Sequence, residues 1–488
     1  MTDLNKKIST ATKWSAITEF ISKLVAPATS MILARLLTPE AFGIVATVTM
    51  VISFTEIFTD AGFQKYLIQK EFSSDDERKN STNVAFWTNL VMSFLLWGVI
   101  IIFRHPIAEL VGNPGLGNVF VIACASIPLA AFSSIQIALY KRDFNFKTLF
   151  YVRLVGILIP ILITIPLAFY LKSYWALIIG TIAVNLSNAI ILSVKSSWKP
   201  GFYYNFSLLK SMFLFCGWVV LDTILVWSTS YIDIFVIGRK LNEHYLGLYK
   251  TSISTVGQII AIITAIILPV MLPALARLQN DKEALKNLLL KFQKYVGIII
   301  IPLGVGIFLY SDLITHILLG NQWSEASEFI GIWGLMSTIT IIFSRFATVV
   351  YPAIGKPRYS VIAQVLHLIV LIPAIIISAE YGFRALYWTR SLIRIELILV
   401  NLIIVYYLIK LSPWKMMSNI FPEIVTASIM GVVIYFLKKV DDSLAWSVFS
   451  IIVSIGVYFG IIMIFPNERK TVITVINQIF NKFRIRSL

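Results

Sequence analysis

Charge is scarce in this chain. Of 488 residues only 14% are Asp, Glu, Lys or Arg, and 58% are apolar, whereas an ordinary soluble domain is about 25% charged. With a mean hydropathy of +0.83, a soluble enzyme and a disordered chain are both excluded. Cysteine is scarcer still. The two present, Cys124 and Cys216, lie inside apolar blocks and read as small packing residues, not as a disulfide or a metal site. A secreted disulfide scaffold is therefore excluded as well. The four histidines (His105, His244, His316, His367) are scattered without metal-ligand spacing. No phosphate-binding glycine loop is present, because Gly355-Lys356-Pro357 lacks the upstream glycine and the Ser/Thr of a Walker A loop. The sequence thus offers no catalytic residues, no metal ligands and no nucleotide-binding domain for an ATP-driven pump.

What the chain has is apolar length. Blocks of about 20 residues recur from end to end, each able to cross a hydrocarbon core of ~30 Å. The fold class that follows is all-α, a polytopic membrane protein. Fourteen candidate helices fall near 14–37, 42–63, 84–103, 118–140, 149–171, 174–194, 213–237, 248–275, 292–310, 327–351, 360–378, 385–409, 420–437 and 444–465. The first is too long for a signal-peptide core and lacks a small-residue cleavage site, so it stays as a helix. Prolines inside the blocks (Pro27, Pro128, Pro160, Pro269, Pro302, Pro373) are tolerated in membrane helices as kinks.

The net charge of +16 sits in short loops, which argues for topology and against nucleic acid. With the N-terminus inside, basic residues outside the spans favour the inner side by more than three to one, placing both termini in the cytoplasm. Leu278–Lys291 reads as a short amphipathic helix of its own. In the segment 466–488, Val472, Val475, Ile476, Ile479, Phe480 and Phe483 recur at helical spacing among Arg469, Lys470, Lys482, Arg484 and Arg486. That pattern predicts a helix lying on the anionic lipids of the inner leaflet.

An internal repeat organises the chain. Residues 34–44 read ARLLTPEAFGI and residues 238–248 read GRKLNEHYLGL, so that Arg35 matches Arg239, Leu37 matches Leu241 and Gly43 matches Gly247. A weaker match aligns Tyr-Trp-Ala-Leu at 174–177 with Phe-Arg-Ala-Leu at 383–386. These matches predict two six-helix bundles related by pseudo-two-fold symmetry, 1–194 and 213–409. A cytoplasmic linker at 195–212 joins them, and two further helices follow at 410–465. Parallel repeats of this kind belong to alternating-access transporters.

The stretch LARLLTPEAFGIVATVTMVISFTEIFTDAGFQKYLIQKE (33–71) resembles the N-terminal signature of the polysaccharide exporter family. These are Wzx-type flippases of the multidrug/oligosaccharidyl-lipid/polysaccharide superfamily, and the segment is most similar to the colanic acid and teichuronic acid exporter branch. The resemblance implies a fold like that of the multidrug (MATE) exporters and a place in the bacterial inner membrane. It also implies an undecaprenyl-diphosphate-linked oligosaccharide as cargo, with membrane lipids and the polysaccharide polymerase machinery as partners. No cofactor is implied beyond a coupling proton or sodium ion. A cation-coupled multidrug antiporter is the alternative reading. A lipid II flippase is a near neighbour. A membrane O-antigen polymerase or ligase fits less well, because the outer loops are short.

Ionisable residues at membrane depth are costly and usually face a cavity or one another. Arg153, Arg345, Arg390 and Arg394, with Lys23, are candidates for a cationic lining that meets a diphosphate through charge-assisted hydrogen bonds. Arg390 and Arg394 lie one turn apart on one helix face, though Arg394 could instead pair with Glu396. Glu19 precedes Lys23 by four residues, the order that favours an ion pair. Glu56 and Asp60 carry like charges one turn apart, where both cannot ionise cheaply. They join Glu19, Asp222 and Asp233 as candidates for ion coupling. The bland readings are that Asp60 caps a helix or pairs with Lys65, and that Asp233 pairs with Arg239. Asn185, Asn188, Gln258, Gln364, His367 and Asn401 could bond sugar hydroxyls, but interhelical packing is the expected use of most, and His367 reads as a satisfied core histidine.

Overall fold

The fold rests on helices whose ends are fixed by polar side chains just outside the apolar blocks. The computed structural model describes residues 2–60, 62–441 and 443–473 and is helical throughout, with no strand among the described residues. In chain order the long helices are α1 (Thr2–Leu36), α2 (Pro39–Asp60), α3 (Asp75–Ile102), α4 (Gly117–Arg142), α5 (Phe146–Leu171), α6 (Trp175–Lys195) and α7 (Phe206–Lys240). They continue as α8 (Glu243–Ala276), α9 (Lys282–Leu309), α10 (Asn321–Ala353), α11 (Arg358–Glu380), α12 (Gly382–Ile409), α13 (Phe421–Leu437) and α14 (Leu444–Ile462). Among the described residues twelve helices are long and apolar enough to cross a membrane, or thirteen if α13 is joined to the helix Pro413–Asn419, which meets it at a 53° bend. Several side chains of α7 lie outside the described residues, Cys216 and Asp222 among them.

Several helices begin well before their apolar blocks. Ser74 caps α3 by accepting from the Glu77 N–H, while Glu77 accepts from the Ser73 N–H at 2.8 Å. The two bonds close backbone N–H groups on both sides of the cap, and the helix starts nine residues ahead of the expected start. Asn205 caps α7 in the same way, accepting from Ser207 and Leu208, and Asp281 caps α9 through the Ala284 N–H. The segment read as a separate amphipathic helix over 278–291 is consequently the first part of α9, one continuous helix of 28 residues. Residues 466–473 of the amphipathic tail are helical, and the remainder, 474–488, lies outside the described residues.

Two helices carry a widened π turn: Pro160–Thr164 within α5 and Ile341–Arg345 within α10. Such turns often mark functional positions, because they rotate the side chains that follow relative to those before.

The chain divides into two compact units, residues 1–251 with 371–386, and residues 252–370 with 387–488. In the first unit the repeat shows its purpose. A Cβ on Gly43 would overlap the carbonyl oxygen of Glu243, and a Cβ on Gly247 would overlap that of Pro39. Residues 39 and 243 are themselves equivalent in the repeat, so each copy offers a glycine to the other copy's first helical carbonyl. Glu40 bonds its own counterpart, His244, at 2.6 Å. Lys240 reaches Glu380 at 3.3 Å nearby, and Tyr245 stacks on Phe383 at 4.9 Å.

At another turn of this unit, Gly62 adopts φ 83° and admits the short helix Phe63–Gln69. Arg142 Nη1 donates to the carbonyls of Leu67 and Lys70, each at 2.7 Å, and so answers the open end of that helix. Arg78 holds both oxygens of Asp143 at 2.9 and 2.7 Å.

The glycine approach is open to a direct test. Gly43→Val should destabilise the purified protein by about 1–3 kcal/mol, the usual cost of overpacking. Gly98→Ala, where a Cβ meets nothing within 4 Å, should change stability by no more than about 0.5 kcal/mol. Thermal unfolding in detergent, followed by tryptophan fluorescence, reads both; equal melting temperatures for the two variants would refute the close approach.

Candidate functional site

A polar cavity of about 430 Å³ opens inside the first unit, among α2, α3, α4, α6 and α7. Glu56 and Asp60 line it together, one turn apart on α2 as their spacing required, with Ser53, Asn89, Ser134 and Asn188 around them. The hydroxyls and amides are held by one another. Asn89 Nδ2 donates to Ser134 Oγ at 2.6 Å, and Trp227 Nε1 donates to Ser53 Oγ at 3.0 Å. These bonds turn acceptor oxygens inward without satisfying all of them. Asp60 Oδ1 and Asn89 Oδ1 are buried and have no hydrogen-bond partner. Two carboxyls ringed by hydroxyls and amides form a setting that can take up a proton or a small cation. Asn185 and Asn188, candidates for sugar hydroxyls, both face this cavity, and Lys65 lies at its edge.

The intramembrane cations fall into separate groups. In the first unit Arg153 is exposed on α5, with Nε at 3.5 Å from Ser22 Oγ of α1. That contact places it against the residue preceding Lys23, which is half-buried. Glu19 is exposed, and no Glu19–Lys23 ion pair forms among the described residues. Asp233 is buried and accepts from Tyr249 Oη at 2.5 Å. Lys250 also lies within electrostatic reach of it, while Arg239 is exposed. The side chain of Asp222 lies outside the described residues.

In the second unit Arg390 and Arg394 share the face of Trp333, with guanidinium carbons 5.4 and 3.4 Å from the ring centre. Arg394 Nη1 also donates to Ser337 Oγ at 2.5 Å. Trp333 and Ser337 are one turn apart on α10, as Arg390 and Arg394 are on α12, so the two helices present matched ladders. Glu396 bonds His367 at 2.7 Å, making that histidine a buried, partnered residue. Arg345 closes the π turn of α10 with an exposed side chain. Asn401 serves packing, donating to Ser344 Oγ at 3.0 Å and accepting from Tyr351 Oη at 2.7 Å. A second cavity, about 350 Å³ and almost wholly apolar, lies in this unit between α9, α13 and α14, lined by Ile298, Pro302, Ile307, Met430, Ile434 and Ile455.

Trp333, Ser337, Asn89 and Ser134 were not singled out in the sequence. For the first pair a signal existed: a tryptophan and a serine at i, i+4 repeat the spacing of the two arginines they meet. For Asn89 and Ser134 none did, since their pairing crosses helices 45 residues apart. Among the described residues no group of three His, Cys, Asp or Glu side chains could hold a metal ion.

Comparison with known proteins gives a consistent picture. The chain is 21% identical over 451 residues to the lipopolysaccharide biosynthesis protein WzxC of Escherichia coli K12, covering 88% of this chain and 89% of that protein. It is 20% identical over 440 residues to the teichuronic acid biosynthesis protein TuaB of Bacillus subtilis, covering 89% and 90%. Its fold is similar to that of the lipid II flippase MurJ in an inward closed conformation, with a TM-score of 0.74, 17% identity, and coverage of 93% of this chain and 98% of that one. An inward-facing MATE-family multidrug resistance transporter of the MOP superfamily is similar at a TM-score of 0.61, with 13% identity and coverage of 81% and 98%. Residues 32–328 match the model of a family described as polysaccharide biosynthesis protein. More than half of the chain falls within that match, and the chain belongs to this family of membrane proteins.

Proposed function

We propose that this protein is a flippase that moves an undecaprenyl-diphosphate-linked oligosaccharide unit across the bacterial inner membrane by alternating access, for the synthesis of a surface polysaccharide. The observation that carries this reading is the placement of Arg153 and Arg345. Both lie on membrane-depth helices with exposed side chains, and neither has a carboxylate partner among the described residues. A bare cation in that position is costly unless it faces water or an anionic ligand, and guanidinium matches diphosphate oxygens in geometry and charge. The names of the relatives, biosynthesis proteins for lipopolysaccharide and teichuronic acid, support a polysaccharide precursor as cargo. The apolar cavity of the second unit suits a hydrocarbon chain. Glu56 and Asp60 would couple the cycle to a proton or sodium gradient, the two carboxyls exchanging the ion as the cavity changes access. Both termini would lie in the cytoplasm.

Arg153→Ala and Arg345→Ala should each reduce polysaccharide export at least tenfold in a complemented deletion strain, with unchanged amounts of folded protein in the membrane. Wild-type export in both variants would remove the arginines from the cargo path. The deletion strain itself should accumulate an intact lipid-linked repeat unit, identified by mass spectrometry and shielded from an impermeant sugar-binding probe in spheroplasts. An accumulated unit exposed to the probe would point to a polymerase, and heightened drug sensitivity without any accumulated lipid would point to an antiporter.

Coupling has its own readout. Glu56→Gln should retain cargo binding and lose the dependence of export on the ion gradient. Export in Glu56→Gln that still collapses with an uncoupler would place coupling elsewhere.

A further inference from the structure

Where α13 and α14 pack on α9 there is an acidic cluster that the reading above does not use. Glu423 is the third residue of α13 and is 0% exposed. Both of its carboxylate oxygens are buried without a hydrogen-bond partner. The charged and titratable groups within electrostatic reach of it are Lys294 on α9, Tyr458 on α14 and Glu468 beyond α14, with Gln293 of α9 and Asn419 of the preceding short helix bonded to each other nearby in the chain.

Each of these is committed elsewhere. Lys294 Nζ bonds Glu468 Oε1 at 2.6 Å, and Glu468 is itself buried at 2% exposure. Tyr458 Oη donates to the Ile298 carbonyl at 2.9 Å. Asn419 Nδ2 donates to the Leu290 carbonyl and to Gln293 Oε1, at 3.0 and 3.1 Å. Thr426 Oγ1, one turn along α13, donates to the Pro422 carbonyl at 2.7 Å.

Among the described residues, the cation of the cluster bonds Glu468 and not Glu423, and neither carboxylate oxygen of Glu423 meets a hydrogen-bond donor. An ionised carboxylate in that position has lost its water and gained nothing in return, whereas the neutral acid carries no such penalty. Among the described residues no group of three acidic, His or Cys side chains gathers here to hold a metal ion.

We infer that Glu423 is a proton-binding site and that the Lys294–Glu468 ion pair sets its occupancy. While Lys294 stays on Glu468, Glu423 holds its proton. If the ammonium swings to Glu423, that carboxyl ionises, its O–H bond breaks, and the proton passes to Glu468 or to water. Lys294 is the more accessible of the ion pair, with 19% of its side chain exposed against 3% for Glu468, and it is the group that makes that move. The inference does not depend on what the protein carries.

Infrared spectroscopy of the full-length protein in lipid nanodiscs tests it. At neutral pH the wild type should show the carbonyl band of a protonated carboxylic acid that is lost in Glu423→Gln. Glu468→Gln releases Lys294 to pair with Glu423, so the same band should disappear while Glu423 is still present. Lys294→Met should retain the band to more alkaline pH than the wild type. Should Glu423→Gln fail to fold, the difference between wild type and Glu468→Gln carries the same test. Identical spectra in this region for the wild type and these variants would show Glu423 ionised, held by the amide dipoles of the first turn of α13, and would overturn the assignment. A band lost in Glu423→Gln but kept in Glu468→Gln would overturn the part given to Lys294.

Discussion

Hydrocarbon returns no hydrogen bond to a polar group, so each one placed at membrane depth must be answered from within the protein. Most of this architecture follows from that demand. Hydroxyls along the helices bond back to carbonyls three or four residues earlier, as Thr55 does to Val51 and Ser93 to Leu90. Helix starts are closed by Ser74, Asn205, Asp281 and Ser443. One helix end is closed from a distance by Arg142. Among the described residues twelve buried side-chain atoms stand outside this pattern, and four of them lie at the two acidic sites. Asp60 Oδ1 and Asn89 Oδ1 are unanswered in the polar cavity, and both oxygens of Glu423 are unanswered at the α9–α13–α14 junction. For a carboxyl, burial without a donor disfavours the ionised form and favours the protonated acid.

The reciprocal contact between the repeats follows from a second constraint. Lipid tails are as apolar as leucine, so helices in a bilayer gain little from burying apolar surface and must gain from close backbone approach. Gly43 and Gly247 supply it, each against the first helical carbonyl of the other copy. Glu40 and His244, matched in the repeat, meet beside this contact. The separation of 204 residues between these two side chains is also the offset at which the sequence repeats.

The sequence disclosed the apolar blocks, and with them the helices, because burial in lipid demands a composition that no other fold class shares. It disclosed helix ends less well. The expected starts of α3, α7 and α9 followed the edge of the apolar window, while the true starts lie at caps several residues earlier, in polar sequence. Ser74 and Glu77 spell a capping box that was legible and outweighed by hydropathy. The pairing of Glu56 with Asp60 on one wall was readable from helical spacing, since i and i+4 share a face whatever the tertiary fold. That Asn89 would turn toward them was not, because it depends on which helices become neighbours. Glu423 was hidden for a related reason. In sequence it is a charged residue at the edge of a span, the place where charges are ordinarily solvated, and only the packing of α9 and α14 over that turn removes it from water.

The arrangement of the cations bears on how a charged cargo could be both held and released. A guanidinium locked against a carboxylate has its charge cancelled before any ligand arrives, and an incoming phosphate would have to displace the acid. A hydroxyl restrains a guanidinium without neutralising it. Arg153 is restrained by Ser22 in this way, and Arg345 ends the π turn of α10 with no carboxylate partner among the described residues. The aromatic face of Trp333 gives Arg394 a further, uncharged partner beside Ser337.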